Sequence, residues 1–166
     1  AMRFIENKWI PFNGFGLMNI LGLVFSRKPI EKISKRSKLH EFWHTMQQLE
    51  LLAIGGIVAL TLCNIYASWW YLLALPIVPF AIYVASWLAE WLIPPYHNAQ
   101  LLWNDKSLPF YKRFSRWFTA MWLDAYRDNC FEREAYANEC NPDYLFERRW
   151  CGWAWYAIKK ADRNGK

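Results

Sequence analysis

The sequence predicts a mainly α-helical, integral membrane protein that folds as a single domain over residues 1–166, and three observations lead to this prediction. The first is a run of 39 residues, 51–89, without Asp, Glu, Lys, Arg or His. The second is residues 107–128, where aromatic side chains recur at helical spacing. The third is composition: 55% of the residues are hydrophobic and 19% aromatic, which excludes a disordered chain.

The N-terminal part, residues 1–36, is predicted to hold short β-strands and a basic segment. Residues 21–25 have the composition of a strand, and a basic turn at 26–29 follows them. Residues 1–13 lack a charged stretch followed by an apolar core, so no cleavable signal peptide is expected there.

The uncharged run predicts a transmembrane hairpin. One spanning helix needs about 20 apolar residues, so the run is long enough for two. We expect a first helix over residues 37–66, a break near 64–68, and a second helix over 70–93 that ends at two prolines. The alternative is a buried hairpin in a soluble bundle, but helices of such a bundle keep a polar face.

The flanks of the hairpin predict its orientation. Lys and Arg lie outside both ends, and the turn between the helices has none, so the positive-inside rule places both termini in the cytoplasm. Trp69 and Trp70 are expected at the far interface, and Trp87 and Trp91 at the near one.

The formal charge of +6 is split between basic groups on the two flanks. That division favours membrane lipid as a partner and argues against nucleic acid.

The C-terminal part, residues 107–160, is predicted to form amphipathic helices. Phe110, Phe114, Trp117 and Phe118 lie on one helical face, and most charges lie on the other. Such a helix rests on the membrane surface or packs against the hairpin.

The motif with the clearest chemistry is HExxH at residues 40–44. His40 and His44 are one helical turn apart, so both imidazoles can bind one Zn²⁺. Glu41 is the predicted catalytic base, because its carboxylate can reach a water on the metal. A catalytic zinc site also needs a third protein ligand, and the best candidates lie in residues 130–139.

The segments HEFWHTMQQLEL and FEREAYANE together resemble the gluzincin metallopeptidases, in which two histidines and a downstream helical glutamate bind zinc. The chain is most similar to a small bacterial family, frequent in the Bacteroidetes, of short membrane-associated proteins with HExxHxxQQ and FEREAY blocks. The resemblance covers roughly residues 10–150. It implies a minimal gluzincin-like core into which the hairpin is inserted, and a place in the bacterial inner (cytoplasmic) membrane.

The resemblance implies Glu132 or Glu134 as the third ligand, and Glu132 is favoured. Gluzincins usually have Asp four residues after the ligand, where it orients a histidine. Counting from Glu132 this position is Tyr136, and counting from Glu134 it is Asn138. Either departure weakens the expectation of full catalytic competence.

Other polar residues have two interpretations each. Gln47 and Gln48 either hydrogen-bond the site or end the polar part of the helix. His97 either approaches the site or lies exposed in a loop. Oxyanion donors are sought among three tyrosines that otherwise pack at the interface: Tyr126, Tyr136 and Tyr144.

These features predict a membrane-integrated zinc metallopeptidase that acts on a peptide or protein substrate at the cytoplasmic face. The alternative is a non-catalytic, metal-binding membrane scaffold that retains the fold. The histidine count argues against a third alternative, a di-iron membrane hydroxylase or desaturase, because such enzymes need about eight histidines or equivalent ligands and this chain has 3. The oligomeric state is not predicted.

Overall fold

A computed structural model describes residues 2–11, 16–92, 103–104, 107 and 109–158, and within them the chain is mainly helical with a small N-terminal sheet. The strands are β1 (Arg3–Glu6), β2 (Leu17–Ile20) and β3 (Leu23–Ser26). The helices are α1 (Lys35–Tyr66), α2 (Ile77–Leu92), α3 (Phe110–Asp128), α4 (Cys130–Asn138), α5 (Tyr144–Glu147) and α6 (Gly152–Ile158). The predicted mainly helical fold class with short N-terminal strands is confirmed.

The sheet has the order β1-β3-β2, with β3 parallel to β1 and antiparallel to β2. The predicted strand over residues 21–25 is wrong in its bounds. Leu21 and Gly22 instead form a two-residue turn between β2 and β3, with φ of 52° and 85°. Such a turn needs positive φ at both positions and matches the twist of the strands, which explains the glycine. Because β3 is central, β2 is an outer strand of the sheet.

Helix α1 agrees with the predicted helix over 37–66 to within two residues. Ser34 caps its start, since the Ser34 side chain accepts a hydrogen bond of 3.0 Å from the Ser37 N–H. The helix ends where Ala67 adopts a left-handed conformation, with φ of 50°. The HExxH motif lies near the N-terminal end of α1, and the uncharged part of the helix begins at Leu51.

The predicted second helix over 70–93 is wrong in its first part. Residues Trp69–Ala74 form a 3₁₀ helix, and α2 begins only at Ile77. Pro76 and Pro79 explain the change, because proline fits the first turn of a helix and disrupts its interior. With 16 residues, α2 is about 24 Å long. Among the described residues, α1 alone is long and apolar enough to cross a membrane.

Packing of the remaining helices places α4 beside the HExxH turn. Gly55 lets α1 and α2 approach, since a Cβ there would lie 3.1 Å from Val78. Phe131 of α4 is 1% exposed and packs with Leu51 of α1. Asn129 caps α4 and donates a hydrogen bond of 2.9 Å to Ser86 Oγ of α2. The glutamates of α4 are therefore held against both helices.

Candidate metal centre

Helices α1 and α4 bring His40, His44 and Glu132 together. The Nε2 atoms of His40 and His44 are 3.1 Å apart. Glu132 Oε2 lies 3.4 Å from His40 Nε2, and Glu132 Oε1 lies 3.3 Å from His44 Nε2. Glu132 is 1% exposed, and the two imidazoles are 13% and 12% exposed. The three side chains form a largely buried group that could hold a metal ion.

The geometry of this group fits Zn²⁺. Two ligands about 2.0–2.1 Å from a tetrahedral Zn²⁺ lie about 3.3 Å apart, close to the separation of the two Nε2 atoms and to the distance from each Nε2 to the nearer Glu132 oxygen. Glu132 Oε2 is buried and has no hydrogen-bond partner among the described residues. A buried carboxylate oxygen in that condition is costly, and a cation would satisfy it. Two imidazoles and one carboxylate also form the donor set of a catalytic zinc site with one position open.

Two tyrosines hold the Glu132 carboxylate from the other side. The Tyr83 hydroxyl of α2 donates to Glu132 Oε1 over 3.3 Å, and Tyr126 of α3 also hydrogen-bonds this carboxylate. Burial alone would raise the pKa of Glu132. The charge of His44 and the polar contacts that His40, His44 and Tyr126 make with the carboxylate outweigh burial and hold the pKa well below its usual range. Glu132 is therefore present as the carboxylate that a metal requires.

On its other ring nitrogen, His44 has a hydrogen-bond partner, whereas His40 Nδ1 makes no hydrogen bond among the described residues. His44 Nδ1 lies 2.9 Å from Gln47 Oε1, which is one turn further along α1. His40 Nδ1 lies 3.5 Å from Glu139 Oε2, and Arg36 forms an ion pair with Glu139. Outer partners of this kind fix the orientation of histidine ligands.

Glu41 is buried beside the two histidines, with 8% of its surface exposed. Burial raises its pKa, although the charges of His44 and His40 act in the opposite direction. The side chain of Asn19, on β2, contacts the same residue: its amide donates to the Glu41 backbone carbonyl and to Thr45 Oγ1. A buried carboxylate with a raised pKa accepts a proton readily, as a general base must.

Glu134 does not join the histidines. It is 0% exposed and binds Arg148, whose Nε donates to Glu134 Oε1 over 2.8 Å. Arg148 also pairs with Glu50 of α1, and the Tyr144 hydroxyl donates to Glu134 over 3.0 Å. Because Glu134 has these partners, the geometry favours Glu132 as the third ligand.

The remaining predicted site residues fall in different places. The Tyr136 ring lies 4.6 Å from the His40 ring and is partly exposed. Asn138 donates to the Glu134 carbonyl and to the Tyr156 hydroxyl, away from the histidines. Gln48 bonds to the backbone of Asn19 in β2 and of Leu21 in the turn that follows it. His97 lies outside the described residues.

Several residues of the site are absent from the sequence prediction: Asn19, Tyr83 and Glu139. Glu139 could have been found from spacing, since it follows Glu132 by seven residues and hence by two helical turns. Asn19 and Tyr83 reach the site only through tertiary packing, for which the sequence contains no local signal.

Zinc binding is expected to weaken as the pH falls from about 8 to about 6. Burial would lower the pKa of His44, but the charge of Glu132 and its hydrogen bond raise it to about 9. His44 is therefore protonated in the metal-free protein at neutral pH, and Zn²⁺ must displace that proton. Competition titrations with a chelator are expected to show about a tenfold loss of affinity per pH unit. A flat profile would show that no proton leaves His44.

The comparisons with known proteins found no match, so the interpretation of the site rests on its geometry. The chain matches no protein-family model, no curated protein and no solved structure at a significant level.

Proposed function

We propose that this chain is a membrane-integrated zinc metallopeptidase that hydrolyses peptide bonds at the membrane surface. The observation that carries the proposal is the convergence of His40, His44 and Glu132 with Glu41 buried beside them. The resemblance of the HExxH and FEREAY segments to gluzincins agrees with this arrangement.

The chemistry divides between the ion and the chain. A zinc ion held by His40, His44 and Glu132 would lower the pKa of a bound water and polarise the scissile carbonyl. Glu41 takes the proton from the attacking water, and its raised pKa suits that transfer. It then delivers the proton to the leaving amine.

Tyr136 is the best candidate for the donor that stabilises the oxyanion. Of the three tyrosines considered, Tyr126 holds Glu132 and Tyr144 holds Glu134. Tyr136 is 45% exposed beside His40 and so can reach a substrate. A phenol in this position donates a hydrogen bond to the developing charge.

Strand β2 offers a backbone edge for an extended peptide. Its outer edge faces away from β3, and Asn19 links the strand to the Glu41 carbonyl. Gln48 occupies the far end of this edge, where it bonds to Asn19 O and to the Leu21 N–H. A substrate that pairs with the rest of the edge would lie across the metal centre as an added strand.

Exposed apolar surface supports the membrane location. Only 28% of the apolar window of α1 is buried within the chain, whereas the core helix of a soluble protein is mostly buried. Ile57 is 64% exposed, Leu60 58% and Ile65 66%. Burying such surface in lipid is favourable. We therefore propose that α1 spans the membrane and that α2, which is short, pairs with it as a hairpin.

The depth of the metal centre follows from helix length. From Tyr66 to His44, α1 rises about 33 Å, against a hydrocarbon thickness of about 30 Å. With Trp69 and Trp70 at the far interface, His44 lies among the headgroups of the opposite leaflet. Both termini would then lie on the cytoplasmic side of a bacterial inner membrane, by the positive-inside rule. Lipid and a peptide or protein substrate are the proposed partners.

Replacing Glu41 with glutamine tests the catalytic part of the proposal. The variant keeps the shape of the side chain but removes the base. We expect it to bind zinc as the wild type does, and to hydrolyse fluorescently labelled unfolded casein at least about 100-fold more slowly. Glu147→Gln, at an exposed position, is the matched control.

Two outcomes would contradict hydrolysis by this mechanism. Equal cleavage by Glu41→Gln would remove Glu41 as the base. A zinc-loaded wild type that cleaves nothing would favour the non-catalytic, metal-binding scaffold.

A further inference from the structure

Gln47 has an amide orientation that its neighbours determine. The side chain is 2% exposed, and its Nε2 donates to Phe131 O over 3.0 Å and to Glu134 Oε2 over 2.8 Å. A backbone carbonyl and a carboxylate accept hydrogen bonds and cannot donate them. The amide therefore cannot be reversed, and its oxygen must face His44.

This orientation fixes the tautomer of His44. Gln47 Oε1, at 2.9 Å from His44 Nδ1, is an acceptor only. His44 must then carry a hydrogen on Nδ1, so the proton that a metal displaces is the one on Nε2, and the lone pair it leaves is directed towards His40 and Glu132. That is the form in which an imidazole binds a metal through Nε2.

Glu134 is itself held in place by the fold. Arg148 donates to both of its oxygens, over 2.8 Å and 3.2 Å. The Tyr144 hydroxyl donates a further bond of 3.0 Å. Gly152 packs so closely that a Cβ would collide with the carboxylate. The Glu134 carboxylate, which accepts from Gln47, is therefore rigid. It acts on His44 only through Gln47.

We propose that Gln47 is a positioning residue, which holds His44 in its metal-binding tautomer, and that Glu134 sets the orientation of the Gln47 amide. The role rests on the metal centre of the proposed function but not on peptide hydrolysis. The usual partner of a histidine ligand is a carboxylate, a backbone carbonyl or a water. Here a neutral amide takes that place, and the carboxylate acts through it.

The test measures zinc affinity and the histidine tautomer in detergent-purified, folded protein. We expect Gln47→Leu to weaken zinc binding about 10- to 100-fold, the usual effect of losing an outer partner. In ¹⁵N-histidine spectra of the zinc-loaded protein, the Nδ1–H signal of His44 should lose its hydrogen-bond shift. The spectrum is simple, because the chain has 3 histidines. Thr119→Val, at an exposed position of α3, should leave both readouts unchanged.

A second pair of variants covers the case in which Gln47→Leu does not fold. Gln47→Met keeps the length of the side chain and removes the acceptor for His44 Nδ1, so zinc affinity should fall as it does for Gln47→Leu. Glu134→Ala removes the carboxylate that sets the orientation of the Gln47 amide and should lower the affinity as well.

The outcomes separate this role from the proposed function. If a folded Gln47→Leu, or a folded Gln47→Met where Gln47→Leu does not fold, binds zinc as tightly as the wild type with an unchanged His44 signal, the positioning role is overturned. If a folded Glu134→Ala binds zinc as tightly as the wild type, the part assigned to Glu134 is overturned. A wild type that binds no zinc overturns the proposed function and this role with it.

Discussion

Replacing Arg148 with methionine is expected to lower the free energy of unfolding by about 3–5 kcal/mol. The Arg148 side chain is 4% exposed and pairs with Glu50 and Glu134, which are themselves 7% and 0% exposed. Without the guanidinium, two carboxylates remain buried close together with no counter-charge. Removing one partner of a buried ionic group costs far more than removing the whole group.

Denaturant unfolding in detergent micelles measures this loss. Arg149→Met is the matched control, because Arg149 is exposed and stacks over Trp155. The triple variant Arg148→Met, Glu50→Gln, Glu134→Gln removes the charges together and should regain much of the stability. A single Arg148→Met variant as stable as the control would show that the buried group does not form.

Glu132→Ala is expected to lose stoichiometric zinc and all hydrolysis, while Glu134→Ala keeps zinc at reduced affinity. Glu132 provides the oxygen that completes the donor set with His40 and His44. Glu134 acts only through Gln47, so its loss resembles the removal of an outer partner, about 10- to 100-fold in affinity.

Metal content after dialysis, measured by inductively coupled plasma mass spectrometry, separates the two variants. Because Glu134→Ala leaves Arg148 with Glu50 alone, its folding is monitored by circular dichroism in the same samples. If Glu134→Ala loses zinc and Glu132→Ala retains it, Glu134 and not Glu132 is the third ligand.

The parts of the fold that the sequence predicts are those that depend on residues close together in the chain. The HExxH helix was placed to within two residues, because Ser34 caps its start and helical spacing runs through His40 and His44. The predicted start of the second helix is wrong, since hydropathy reports apolar character whereas Pro76 and Pro79 decide where a helix can begin. When the first residue of a helix is predicted, prolines at the start of an apolar run should therefore count for more than the length of the run.

The candidate site was predictable only in part. Spacing identifies His40, Glu41 and His44, because they share one helix. The choice between Glu132 and Glu134 depends on which side chain Arg148 and Gln47 bind, and those contacts join residues far apart in the chain. Of the two interpretations of Gln47, the one in which it hydrogen-bonds the site agrees with its contact to His44 Nδ1, whereas Asn138 bonds to the Glu134 carbonyl and to Tyr156.

The central claim is that the group of His40, His44 and Glu132 binds zinc, and metal content of the detergent-purified wild-type protein tests it most directly. The account predicts one Zn²⁺ per chain, retained through dialysis and removed by a strong chelator. A wild-type protein that is folded and carries no stoichiometric metal, even after incubation with zinc, would contradict the account.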